Sequence, residues 1–196
     1  MEPKRSFFMR GDESASDYGR EAILDYEISW VLRLTAEKKE KECRPKLYSQ
    51  CRHILCKLLG IELDSVEVLD VKVWKQRNNI DIFSTIKLIN NGKEECYVLL
   101  TEDKVYTQMG KNQRDNYPQI AKDWCDSNSE WANCKLRLCA ITCQDRNTPA
   151  YNKLVEFCKQ SSTWEWNVFS LEDLSDPNAE ELTESDLFNE FWLSSW

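Results

Sequence analysis

The sequence predicts an α/β or α+β domain: helices first, then a hairpin-linked sheet, then alternating helix and strand. Three observations lead to this. Residues 19–34 carry apolar side chains at helical spacing. Two β-rich runs, 80–89 and 96–105, flank Asn90-Asn91-Gly92-Lys93, a tight-hairpin signature with Asn-Gly at its centre. The apolar segments beyond residue 130 are short and alternate between strand and helix character.

Taken in order, residues 1–17 are polar and read as a tail. On a helical wheel of residues 19–34, Ile23, Trp30, Val31 and Leu34 share one face, while Asp25, Ser29 and Arg33 fall opposite. The charged stretch from Glu37 to Glu42 leads into a second helix that ends near Leu59, with Gly60 as its C-cap. Residues 65–75 form a valine-rich strand, and Asn78-Asn79 is turn-like before the strand 80–89. The long apolar run of 96–105 suits a central, buried strand. Residues 108–124 are helical, with Pro118 as a break or kink. Strand 136–142, helix 152–159, edge strand 164–169 and an acidic amphipathic helix 179–192 complete a single domain over residues 1–196. The final segment, 161–196, reads as an acidic C-terminal extension.

Composition narrows the function classes. With 41% hydrophobic residues and eight tryptophans, the chain can bury a core. No apolar run approaches the ~20 residues of a transmembrane helix, and Met1-Glu2-Pro3-Lys4-Arg5 lacks a signal-peptide h-region, so a cytoplasmic location is expected. Nine cysteines, an odd number, make a poor disulfide framework and read as reduced core residues. The run Cys51-Arg52-His53-Ile54-Leu55-Cys56, with Cys43 upstream, lacks the paired spacing of a zinc module. Residues 1–124 hold 21 basic and 21 acidic side chains, and residues 125–196 hold 5 and 13, so the last third supplies the whole net charge of −8. Strong non-specific nucleic-acid binding then requires a local basic surface. Lys72, Lys75, Arg77, Lys111 and Arg114 are candidates for one, although scattered basic residues usually form a solvated face.

A single histidine excludes two-histidine metal sites and disfavours a histidine triad. There is no P-loop, GxGxxG or GxSxG motif, and five glycines are too few for a phosphate-cradling loop. Any catalysis therefore falls to carboxylates and lysines. Asp81 interrupts the strand Asn79-Ile80-Asp81-Ile82-Phe83, and Glu102-Asp103-Lys104 ends the strand Tyr97-Val98-Leu99-Leu100-Thr101. Alternation places Val98, Leu100, Glu102 and Lys104 on one face. Carboxylates on adjacent strands can share Mg²⁺, and a neighbouring lysine can position or deprotonate a bound water. The alternative is a surface acid and a weak ion pair. Glu27 sits in the apolar stripe of the first helix, where a buried carboxylate needs a cation, an arginine or a backbone amide.

These residues resemble the PD-(D/E)XK nuclease superfamily. Asp81, then Glu102-Asp103-Lys104, matches its Asp … Glu-x-Lys signature, with Ile80 standing where the motif's proline would be. Gln113-Arg114-Asp115-Asn116-Tyr117 matches the Gln-xxx-Tyr spacing of the RecB-like members, and on a helix Gln113 and Tyr117 share a face. The resemblance spans roughly residues 20–160, judged from the order of elements. It implies a restriction-endonuclease-like three-layer sandwich, with a mixed central sheet of four or five strands flanked by helices. It further implies a nuclease that hydrolyses phosphodiester bonds in DNA, or alternatively RNA, with Mg²⁺ or Mn²⁺ as cofactor. Asp81 and Glu102 would hold the metal, with the Asp103 main-chain carbonyl as a third ligand. Lys104 would position or activate the water, Glu27 would act from the first helix, and Gln113 and Tyr117 would support the site or contact the substrate. The competing expectation is a non-cleaving module of the same fold that binds a protein or nucleic acid, with the acidic C-terminal third meeting a protein partner.

Overall fold

A computed structural model of the chain describes residues 17–104, 108–175 and 182–194. The expected tail through residue 16, Val105 of the third strand and the start of the acidic helix at 179–181 lie outside the described residues. The protein is α+β, with a five-stranded mixed sheet in the order β1-β2-β3-β4-β5 and helices on both faces. Its strands are β1 (Val66–Arg77), β2 (Ile80–Asn90), β3 (Lys93–Lys104), β4 (Lys135–Thr142) and β5 (Trp166–Ser170). The helices are α1 (Asp17–Leu34), α2 (Lys38–Cys43), α3 (Pro45–Leu59), α4 (Lys111–Ser127), α5 (Pro149–Lys159), α6 (Leu171–Leu174) and α7 (Asp186–Trp192). Among the described residues, no helix is long and apolar enough to cross a membrane.

The meander β1-β2-β3 is antiparallel and is set by its turns. Asn78 and Asn79 have φ of 55° and 65°, and Asn91 and Gly92 have 51° and 76°. These are the paired left-handed conformations of two-residue hairpin loops, which Asn and Gly adopt at least cost. The parallel pairs β3-β4 and β4-β5 require crossovers, which α4 and α5 provide. α3 stops at Gly60, whose φ of 65° lets Ile61 N–H reach back to the Cys56 carbonyl at 3.0 Å.

Pro118 does not break α4. A proline cannot donate to the carbonyl four residues earlier. The Arg114 carbonyl accepts instead from the indole N–H of buried Trp166, at 3.0 Å. This bond fixes the α4 backbone to β5, so the helix continues to Ser127 with the freed acceptor satisfied.

Side-chain alternation splits the core in two. Tyr97, Leu99, Cys139 and Ile141 pack against α1, α3 and α7 on one face. Val98, Leu100, Leu138 and Ala140 pack against α4 and α5 on the other. All nine cysteines are free, and only Cys43 is exposed.

The acidic C-terminal region is partly built into this core. Phe188, Phe191 and Trp192 of α7 are buried with the α1 and α3 side chains. Glu184 accepts from the backbone N–H of Leu47 at 3.0 Å, at the exposed start of α3. A carboxylate there suits the positive end of a helix. Ser185 caps α7 by accepting from Phe188 N–H at 3.2 Å. Ser185→Ala is expected to cost about 1 kcal/mol. In a domain of this size that lowers the thermal midpoint by about 2–4 °C, which scanning calorimetry will read.

Candidate active site at the end of the central strands

The ladder between β2 and β3 pairs Ile82 with Thr101. One step further, Asp81 lies across from Glu102. Asp81 N–H points to Glu102 Oε1 at 3.5 Å, and Asp103 N–H points to Asp81 Oδ2 at 3.4 Å. Lys104 Nζ sits 3.3 Å from Asp81 Oδ2 and 3.5 Å from Glu102 Oε2. Asp81, Glu102 and Lys104 therefore converge at one end of the sheet. Glu102 and Lys104 are on the α4 face together, as strand alternation requires.

Gln113 joins them from the first turns of α4. Its Nε2 donates to Glu102 Oε2 at 2.7 Å, while its Oε1 accepts from Gly110 N–H at 2.8 Å. The second bond fixes which end of the amide faces the carboxylate. Tyr117, one turn on, is buried, and its phenol is pushed up by burial and then by Glu102 and Asp81.

Glu27 does not join this group. It is buried, but its carboxyl is pushed up to about 7 by desolvation, with Trp192 the neighbour that counters this, and it acts on Cys51 of α3. Two first-helix acids act on the site, Glu21 and Asp25, and Asp25 was expected on the polar side. Its carboxyl is pushed up to about 7, first by burial and then by Asp81. The cause of the reversal is that α1 is covered twice. The wheel face with Val31 and Leu34 is buried, and so is a second row, Leu24, Ile28 and Leu32, at i, i+4 and i+8. That second row is the signal in the sequence that could have placed Asp25 inside.

Asp103 alternates to the α1 face, toward Asp25. Asp25 Oδ1 and Asp103 Oδ2 are both buried without a hydrogen-bond partner. Asp81, Glu102, Asp103 and Glu21 act on the Lys104 ammonium, while Asp25 is acted on by both Lys75 and Lys104. Glu102 is fully buried and Asp103 is 2% exposed, whereas the Asp81 side chain is 20% exposed and forms the opening to solvent. Among the described residues, no three histidine, cysteine or acidic side chains are arranged to enclose a metal ion. Lys104 stands between Asp81 and Glu102, and Asp103 points to the opposite face.

Burial dominates the electrostatics. It pushes Glu102 and Asp103 well above the carboxylate range, with Asp81 the next cause for Glu102 and Asp25 for Asp103. For Lys104, burial alone lowers the value, but Asp81, Glu102 and Asp103 outweigh it and hold the ammonium charged.

A pH dependence of stability follows. Unfolded carboxyls lose their protons near pH ~4, whereas folded Asp25 holds its proton to about 7 and Glu102 and Asp103 hold theirs higher. Between those limits the native state binds more protons than the unfolded state, so stability falls as pH rises. Melting in EDTA is expected to show a thermal midpoint that declines from about pH 5 to about pH 8. Glu95, held at about 2 by Lys135 and Tyr97, titrates below that window. A flat or rising midpoint would show that the cluster is not protonated as described.

The basic residues considered for a phosphate-binding surface mostly have local partners. Arg77 lies among the rings of Trp74, Phe83 and Trp124, at 4.9–5.2 Å. Arg114 pairs with Asp115 and stacks on Phe157. Lys72 pairs with Asp70. Lys75 lies over the ring of exposed Tyr26, close to Asp25. No family model, curated protein or solved structure matches the chain.

Proposed function

We propose that the chain is a divalent-cation-dependent nuclease that hydrolyses phosphodiester bonds in DNA, on a restriction-endonuclease-like core of the PD-(D/E)XK kind. The observation that carries this reading is the convergence of Asp81, Glu102 and Lys104 within 3.3–3.5 Å at the end of β2 and β3. The donor chemistry fits a hard cation. All candidate ligands are carboxylate or carbonyl oxygens, which suit Mg²⁺ and Mn²⁺. The Asp81–Glu102 pair already attracts one cation, the Lys104 ammonium.

In this reading Asp81 and Glu102 would hold the metal, with the Asp103 main-chain carbonyl as a possible third ligand. A divalent cation held there would supply charge neutralisation at the phosphate and a more acidic water. Asp81, the carboxylate open to solvent, meets the incoming phosphate side. Lys104 positions the attacking water and balances the carboxylates. Gln113 keeps Glu102 oriented through its 2.7 Å bond, an outer-shell role of the kind that tunes a metal site. Tyr117 closes the α4 side of the cluster, and Asp25 adds negative charge from α1.

A second reading, a non-cleaving module that binds a protein or nucleic acid, is favoured by one observation: Lys104 occupies the space between the two carboxylates. One experiment separates the readings. The chain is incubated with single- and double-stranded DNA and with RNA, in Mg²⁺, Mn²⁺ or EDTA, beside calorimetric titration of each metal. Cleavage that needs the metal is expected on DNA. If millimolar metal does not bind and nothing is cut, the module replaces the nuclease.

A further inference from the structure

Beyond Lys104, on the α4–α5 side of the sheet, lies a pocket of about 550 Å³. This is within the range of about 300–1,000 Å³ typical of small-ligand sites. Lys104 lines it, so it opens directly beside the candidate active site. Met109, Leu154 and Phe157 supply apolar walls, and the two amides Gln108 and Gln144 stand among them. Lys153, exposed on the first turns of α5, adds a positive charge.

We infer that this pocket takes one unpaired nucleobase of the nucleic-acid substrate, next to the phosphate that is cut. The inference rests on the nuclease reading for the position of that phosphate, and adds the class of substrate. A nucleobase needs flat apolar walls for its faces and a few donors and acceptors for its edge. Met109, Leu154 and Phe157 provide apolar walls, and the side-chain amide of exposed Gln108 provides a donor and an acceptor. Lys104 borders both the carboxylates and the pocket, so a phosphate at Lys104 puts the attached nucleoside at the pocket mouth. Lys153 is placed for the next phosphate along the strand. A base held in a duplex cannot enter a pocket without leaving its stack, which costs unpairing and unstacking energy. The preferred substrate is therefore single-stranded DNA or a frayed end.

The test uses the intact chain and two variants at exposed positions, Ala150→Trp, which fills the pocket from α5, and Gln108→Ala. Thermal melting checks that both fold. Thymidine 5′-monophosphate is titrated by calorimetry against deoxyribose 5-phosphate, which has the phosphate but no base. Binding of the nucleotide is expected to be at least about tenfold tighter than that of the sugar phosphate, the scale of one base contact. Ala150→Trp should erase that difference. In parallel, single-stranded oligonucleotides with one abasic residue stepped along the chain are cleaved with Mg²⁺. An abasic residue beside the scissile linkage should slow wild type by about tenfold, and slow Ala150→Trp no further.

If wild type cleaves, but neither the abasic position nor Ala150→Trp changes the rate, the pocket assignment is wrong and the nuclease reading stands. If nothing is cleaved, yet the nucleotide binds with the stated dependence on base and on Ala150, the pocket assignment stands and the nuclease reading fails. If nucleotide and sugar phosphate bind alike, or neither binds, the pocket assignment is overturned.

Discussion

Asp81→Asn is expected to abolish metal-dependent cleavage while leaving the fold intact. The substitution keeps the shape of the side chain and removes its charge. Loss of an outer-shell partner costs a metal site about 10–100-fold, and loss of a direct carboxylate ligand should exceed that, giving a drop of at least about 10³-fold. Asp81 is also the exposed member of the cluster, so no neighbour can replace it at the opening. The apo protein should be as stable as wild type or more so. Asp81 pairs with Lys104, but it also raises the pKa of Asp25, Glu102 and Asp103. Removing one of several crowded carboxylates relieves that repulsion. Glu102 still lies 3.5 Å from the ammonium. The measurements are initial cleavage rates, calorimetric metal titration and thermal melting in EDTA. Wild-type rates in the variant would mean that any cleavage arises elsewhere, and that the site is wrongly assigned.

Lys104→Ala separates metal binding from chemistry. Positioned proton-transfer groups contribute about 10²–10⁴-fold, and a loss of that size is expected in the cleavage rate. Metal affinity should be kept or increased. The ammonium sits 3.3 and 3.5 Å from the two carboxylates, where it competes with an incoming cation. Without it, the carboxylates hold protons more strongly, so the gain in metal affinity should grow with pH. Stability should fall, because Lys104 is a buried counter-charge for Asp81, Glu102 and Asp103. Cleavage at the wild-type rate would remove Lys104 from the mechanism. Loss of both cleavage and metal binding would show that the lysine serves to organise the carboxylates.

The meander was legible in the sequence because its turns are local. Asn78-Asn79 and Asn91-Gly92 adopt left-handed conformations that few other residues accept, and so they fix the register of β1, β2 and β3. With the register set, the meeting of Asp81 and Glu102 follows, and so does the common face of Glu102 and Lys104. The i, i+4 spacing of Gln113 and Tyr117 was equally local, and both lie on the side of α4 that meets the carboxylates.

Three features depended on tertiary structure. A wheel finds the most apolar face of α1 but does not reveal that the helix is covered on two sides, so it chose Glu27 and passed over Asp25. Pro118 marked a break or kink by local rules, and Trp166, far along the chain, removed the reason for one by donating its indole N–H to the freed Arg114 carbonyl. The acidity of the last third did not reveal that α7 is docked by Phe188, Phe191 and Trp192, or that Glu184 serves the start of α3. By itself the sequence determined which backbone conformations are allowed at the two hairpin turns, and therefore how β1, β2 and β3 pair. Only the tertiary structure decided which charged side chains lose their water, because burial depends on what packs against an element from elsewhere in the chain.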